Sequence, residues 1–327
     1  MRHFNSDRRR ALSWMTVLGL AASPLALAQD SYPNHPLRMV VPYPPGGSTD
    51  PIARIISRGL SDALGQPVIV DNKPGGGTMI ATEFVARAPA DGYTLLLAAG
   101  SLTVNPALYR KVNYDPIKDF TGVSLATSFP LILHVHPSLP VHSVRELVAL
   151  AKAQPGKLSF GSGGVGAANH LAGEMFNALA GVNILHVPYK GGAQALTDAL
   201  GGQFQVMFGG IEQSLPHVRS GRLRGIAVTS PRPSPLVPEL PPIGDTVPGY
   251  DVTSWNGVVV PSGTRPEIVT RLNTEIVKIL RSASTQESLL KLGVTPFPTA
   301  VDETNRFLVN EVARWKKVID AAGIKLD

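Results

Sequence analysis

The chain has 327 residues, 43% apolar and 17% charged, enough for one large domain or two ordinary lobes with a sizeable core. Its net charge of +6 falls to +3 (26 basic against 23 acidic residues) once the four arginines and one aspartate of residues 1–28 are set aside, which argues against a nucleic-acid partner. It contains no cysteine, so disulfide, thiol and thiolate–metal chemistry are excluded.

Residues 1–28 read as a secretory signal peptide. Arg8, Arg9 and Arg10 precede an apolar run, Ala11 to Leu27, and Ala26-Leu27-Ala28 supplies small residues for cleavage after Ala28. The adjacent arginines permit twin-arginine as well as general export. The run is short and broken by Pro24, a poor membrane span, and no later stretch is long and apolar enough to cross a bilayer. A soluble exported protein is expected.

The first strand, Leu37 to Val41, breaks into a loop. Pro42, Pro44 and Pro45 stop strand pairing because each lacks an N–H, and Gly46 and Gly47 open backbone conformations closed to other residues. Asp50 followed by Pro51 reads as a helix cap and first turn. The N–H groups of Gly47, Ser48 and Thr49 then lie at a helix N-terminus, where unpaired donors and the helix dipole attract anions. A strand at Val68–Val70 enters a second glycine-rich loop, Asp71 to Thr78. A helix of roughly Met79 to Arg87 follows, with Ile80, Phe84 and Val85 at helical spacing. A third strand, Thr94 to Ala98, ends in Gly100-Ser101. The alternation predicts an α/β fold with parallel-dominated sheets, whose ligands sit at the strand carboxyl ends.

Val123–Phe129 and Leu131–Val135 are expected to cross into a second lobe, and Ser143 with Glu146 forms a capping box. The second lobe repeats the scheme of the first: strand, glycine-rich end, helix. Leu158–Phe160 leads through Gly161–Gly166 into a helix ending near Leu179. Strands Ile184–Pro188 and Phe204–Phe208 end in Tyr189-Lys190-Gly191-Gly192 and Gly209-Gly210. Pro231–Pro248 reads as an ordered surface connection and Val252–Val260 as the return crossing. Helices at Pro266–Leu280 and Val301–Ala322 follow. The last is expected to bury Phe307, Leu308, Val312, Trp315 and Ile319 against the first lobe. Two crossings make a hinge and a cleft.

Motifs for catalysis are absent: no serine has the nucleophile-elbow setting, and there is no H-E-x-x-H or phosphate-loop lysine. His134 and His136 read as strand residues, and His170 and His186 as packing or backbone-bonding groups. Gly161-x-Gly163-x-x-Gly166 has dinucleotide-loop spacing, but Tyr189 and Lys190 stand where the ribose-binding acid belongs. Anion binding at that helix start survives; no cofactor is expected. Lys73 and Lys190 are expected in solvent, and Tyr189 fits a core or a cleft wall equally. Ser48, Thr49, Thr78, Ser101 and Ser162 mean little singly, but their joint placement at strand ends in both lobes points to one site. These loops hold no arginine, so an anion would be held by N–H groups, hydroxyls and water.

An ordered set of segments resembles the substrate-binding receptors of tripartite tricarboxylate transporters, the Bug-type solute receptors. They are P-Y-P-P-G-G-S-T-D (Pro42 to Asp50), N-K-P-G-G-G-T (Asn72 to Thr78) and D-G-Y-T-L-L (Asp91 to Leu96). The longest runs from Phe160 to Phe176, followed by H-V-P-Y-K-G-G (His186 to Gly192) and W-N-G-V-V-V-P-S-G-T (Trp255 to Thr264). The resemblance implies a two-lobed periplasmic-binding-protein-like fold of type II, with lobe 1 at 29–125 plus 255–327 and lobe 2 at 126–254. It implies a small carboxylate in the cleft, delivery to integral-membrane permease subunits, a periplasmic location and a monomer. Carried over, Gly46, Gly47, Ser48 and Thr49 face Ser162, Gly166 and Ala167 across the ligand. Tyr43, Gly76, Thr78, Ser101, Tyr189 and Gly209 complete the expected contacts, with Asp50 as the structural cap. A bulky substitution at Ser162 is expected to abolish binding without unfolding. The family commonly has M-F-D where this chain has Met207-Phe208-Gly209-Gly210, so a plain carboxylate is expected over an amino acid. A ligand-presenting sensor partner and an enzyme acting on an organic acid are the alternative roles.

Overall fold

In the computed structural model, which describes residues 32–46, 49–189 and 191–323, ten strands join in one sheet. The expected signal peptide, Gly47, Ser48 and Lys190 lie outside the described residues. The chain opens with β1 (Leu37–Val41), α1 (Thr49–Leu64), β2 (Val68–Asn72), α2 (Met79–Ala86), β3 (Thr94–Ala99) and α3 (Ser101–Leu108). It continues through β4 (Phe120–Val135), α4 (Val144–Ala153), β5 (Ser159–Ser162), α5 (Ala168–Ala180), β6 (Leu185–Pro188) and α6 (Gly192–Leu200). Next come β7 (Val206–Gly210), α7 (Ile211–Arg219), β8 (Arg224–Val228), β9 (Thr253–Pro261) and α8 (Pro266–Arg281). The last elements are α9 (Ala283–Lys291), β10 (Thr295–Pro296) and α10 (Val301–Ala322).

β1 is almost wholly apolar and pairs parallel to both β2 and β3. β5 does the same with β6 and β7. The strands that join these halves run antiparallel. β4 is one continuous strand: Phe120 to Pro130 pairs with β9, while Leu131 to Val135 pairs with β7 and β8. Pro130 stands where β4 changes partners, a place where a missing N–H is tolerated. β8 and helices α3 and α9 carried no sequence signal strong enough to be expected. In the proline-rich connection, Val237, Leu240, Ile243 and Val247 are buried, so it is anchored to the core rather than lying on the surface.

α1 buries Ile52, Ile56 and Leu60 four residues apart, and α8 does the same with Ile268, Leu272, Ile276 and Leu280. α2 departs from its expected pattern. Its buried stripe is Ala81, Thr82 and Val85, while Ile80 and Phe84 are exposed, Phe84 with the Lys73 ammonium 4.6 Å from its ring centroid. Ser143 caps α4 by accepting the Glu146 N–H at 3.2 Å, and the Glu146 carboxylate accepts the His142 N–H at 2.6 Å. α10 packs on both halves rather than on the first lobe alone. It lies along α3 and β4, yet Trp315 and Ile319 belong to the cluster that holds Phe160, Leu171 and Phe208. Twenty-two residues span about 33 Å, enough to reach across. Phe307 and Val312 are only half-buried.

Gly173, inside α5, faces Phe160 so closely that an added Cβ would overlap the ring. Helix propensity alone favours Gly173→Ala by roughly 1 kcal/mol, whereas overpacking costs about 1–3 kcal/mol. Gly173→Ala therefore lowers the thermal midpoint, followed by circular dichroism; a raised midpoint would contradict the packing described.

Candidate functional site

Five helices begin at the wall of one cavity of about 450 Å³. From the first half come Thr49, which opens α1, and Ser101, which opens α3. From the second come Ala167 and Ala168 at α5, Gly192 at α6, and Gly210 immediately ahead of α7. The residues ahead of α3, α5, α6 and α7 make no side-chain cap. Within the first turns, Asn169 Oδ1 accepts the His170 N–H at 3.1 Å and the Glu212 carboxylate accepts its own N–H. The leading N–H groups of α3, α5 and α6 thus remain donors toward the cavity, and the positive ends of the dipoles add to the same field. Among the described lining residues there is no lysine, arginine or histidine. Phe129, Leu131, Val104 and Trp255 supply an apolar wall.

Local sequence explains this geometry. Gly163 brings the β5–α5 loop against α6: an added Cβ there would lie 3.0 Å from the Gly192 nitrogen. Gly166 has φ +82°, and a Cβ would collide with Leu108 of α3, so this glycine also sets the approach of the two halves. Asp50 holds the opposite loop. Its carboxylate accepts the Gly46 N–H at 3.2 Å, Arg54 at 2.9 and 3.2 Å, and Asn72 at 3.0 Å. Asn72 also donates to the Tyr43 carbonyl at 3.0 Å. Asp50 shapes the loop as expected, but not as a cap: α1 starts at Thr49, and the carboxylate reaches back to Gly46. The Arg54 hydrogen bond above all holds its pKa below the ordinary 3.8.

Of the expected contacts, Tyr43, Thr49, Ser101, Gly166 and Ala167 line the cavity. Thr78 does not. It donates to Ser101 Oγ at 2.9 Å and carries φ +80°, so it positions a contact instead of making one. Burial raises the Tyr43 pKa, opposed by its own hydrogen bond to Ser101. Gly46 and Gly76 are exposed outside the lining. Gly209 is packed against His134 and Ser214, Tyr189 rests against Phe204, and Gly210 takes the lining place expected of Gly209. Ser162 is the main correction. It is fully buried, 2.6 Å from His186 Nε2, and exchanges hydrogen bonds with the Gly164 carbonyl and N–H at 3.1 Å. A leucine there would disrupt the loop as well as any binding. The loop spends further donors on itself, because Gly163 N–H goes to Asn169 and Gly166 N–H to His170 Nδ1, both at 3.1 Å. The open donors lie one step on, at Ala168 and Asn169.

Sequence reasoning missed two carboxylates. Glu311 accepts the indole N–H groups of Trp255 at 3.2 Å and Trp315 at 3.0 Å, and pairs with Arg314 at 2.7 Å. Its charge is compensated. Glu212 faces the cavity, and desolvation raises its pKa. The absence of an acid at Gly209-Gly210 therefore does not leave the site without one; the acid stands at the second residue of α7. His170, Glu174 and His186 place ligand atoms within 4.8 Å of one another, the one such group among the described residues. The Gly166 N–H and Ser162 occupy one nitrogen of each histidine, which suits a loop support better than a metal centre. Burial and neighbouring His170 lower the His186 pKa to about 4, keeping the ring neutral. Burial, with a contribution from His217, lowers that of His134 to about 3.

Residues 52–324 match the profile of the tripartite tricarboxylate transporter family receptor. The chain belongs to that family. The receptor is 37% identical over 316 residues to Protein BugT of Bordetella pertussis, covering 96% of each chain. The solved structure of R. palustris Rpa4515 with adipate is 38% identical, with a TM-score of 0.78, over 90% of the receptor and 100% of that chain. MatC from Rhodopseudomonas palustris with bound malate is 29% identical, with a TM-score of 0.72, over 88% and 100%. The receptor shares their two-lobed periplasmic solute-binding fold.

Asp50 yields a pH test. A depressed folded pKa contributes stability that is present above the unfolded value and lost as pH falls through the folded one. Asp50→Asn should lose about 1–3 kcal/mol at pH 7 in urea unfolding, and the gap should close below about pH 4. A gap unchanged at pH 2.5 would contradict the ionised pin.

Proposed function

We propose that this receptor captures a small carboxylate in its interlobe cleft and delivers it to the integral-membrane permease subunits of a tripartite transporter. The convergence of the open helix starts of α3, α5 and α6 on a cavity with no basic side chain among its described lining residues carries this reading. Such a wall favours an anion small enough to be reached from both sides. The adipate and malate in the two related structures are carboxylates of that size. The contacts we assign are Thr49 and Ser101 from lobe 1 and the starts of α5 and α6 from lobe 2, with Gly47 and Ser48 continuing the first loop.

The same reading puts the lobes at 29–125 plus 255–327 and at 126–254, with β4 and β9 as hinge. It makes the protein an exported, monomeric periplasmic receptor rather than an enzyme. No helix among the described residues is long and apolar enough to cross a membrane. Glu311 is held by two indoles and an arginine and is a poor acid–base catalyst. Roughly four charge-assisted bonds at about 1.5–3 kcal/mol each, with helix dipoles adding up to about 2 kcal/mol and several kcal/mol lost to association and closure, leave at most about −8 kcal/mol, the micromolar range. Closure would bury the ligand and present a changed outer surface to the permease.

Ala168→Pro tests the donor directly. Proline is tolerated at the first helical position, and Ala167 already has the extended backbone (φ −65°, ψ 154°) that precedes proline. The variant should fold with an unchanged thermal midpoint and bind its carboxylate roughly 10- to 100-fold more weakly by titration calorimetry. Unchanged affinity would sink the assignment.

A further inference from the structure

We propose that Glu212 selects the far end of the ligand: the cavity takes a monocarboxylate with an apolar body and a hydrogen-bond-donating distal group, an ammonium or amide, and rejects a second carboxylate. The proposal rests on the carboxylate-receptor reading above and specifies the ligand class at the same site.

Glu212 is the second residue of α7, and both its oxygens fold back over Gly210. A Cβ added to Gly210 would lie 2.8 and 3.1 Å from them. The N-terminus of α7 is therefore already served by the protein's own carboxylate, whereas those of α3, α5 and α6 are open. The root of the side chain is fixed from the other lobe, because a Cβ on Gly293 would lie 3.0 Å from Glu212 Cβ. Glu311, the second acid of the lining, is compensated by Arg314 and two indoles. Glu212 has no lysine, arginine or histidine partner among the described residues. Desolvation raises its pKa, opposed in part by the hydrogen bond from its own backbone N–H.

One ligand carboxylate can be received by the open N-termini. A second would find no basic side chain among the described lining residues and would meet the like charge of Glu212. An ammonium or amide there would instead add a second donor to the one backbone N–H this acid already accepts. Between the two ends, Val104, Phe129, Leu131 and Trp255 offer contacts to methylenes or a ring. A glutamate that merely complements the α7 dipole makes a different prediction: its loss would cost stability and leave ligand ranking untouched.

The test is titration calorimetry on the chain lacking residues 1–28, at pH 7.5. The probes are linear dicarboxylates of four to eight carbons (adipate among them), their monoamides and the matching ω-amino acids. The best monoamide or ω-amino acid should bind at least roughly tenfold tighter than its dicarboxylate. E212Q should shrink or invert that ratio by about the same factor, chiefly by improving dicarboxylate binding, with the thermal midpoint little changed. Dicarboxylate binding as tight as that of the monoamide, or a ratio unmoved by E212Q, would overturn the proposal while leaving the receptor reading intact if Ala168→Pro still weakens binding. No binding by any probe, or binding indifferent to Ala168→Pro, would overturn both.

Discussion

Helix first turns leave N–H groups that the helix itself cannot satisfy, and most chains satisfy them with a serine, threonine or aspartate cap. Here the residues ahead of α3, α5, α6 and α7 are Gly100, Ala167, Gly191 and Gly210, none of which offers a capping side chain. Glu212 serves the start of α7, and the donors of α3, α5 and α6 open onto the cavity, where water or a ligand reaches them. Glycine at positions 163 and 166 follows from the same need, because these loops must let α6 and α3 come close. Donors left open, small residues and close approach form one requirement.

The second requirement is a hinge that holds the two walls in register. β4 belongs to both halves and changes partners at Pro130, and β9 runs back beside its first part. α10 ties the two together from behind: Glu311 accepts from Trp255 on β9 and from Trp315 on its own helix. The cavity lies in front of this joint, with Trp255, Trp315 and Glu311 in its wall. The wall of the site and the joint between the halves thus share these residues.

Much of the plan could be read from residue pattern. Apolar runs punctuated by proline and glycine, as at Leu37–Gly46 and Phe160–Gly166, mark strands that end in open loops. The i, i+4 stripes of α1 and α8 need no tertiary information. What escaped was contact between distant positions. Ser162 resembles any loop serine until His186, 24 residues later, is seen to hold it. Thr78 looked like a contact and proved to support Ser101. Ile80 and Phe84 share a helical spacing, but α2 is short and presents Ala81 and Val85 to the sheet instead. Glu212 stands at a helix start where acids are common, and only the packing of Gly293 and Gly210 around it distinguishes it.

The arrangement assigns the carboxylate to backbone donors rather than to a side-chain cation, and a crystal structure with a bound carboxylate tests this most directly. The account predicts carboxylate oxygens within about 3.2 Å of first-turn N–H groups from both lobes, those of α1 or α3 and of α5 or α6, with no lysine or arginine touching them. A carboxylate paired with a basic side chain, or seated outside this cavity, would contradict it.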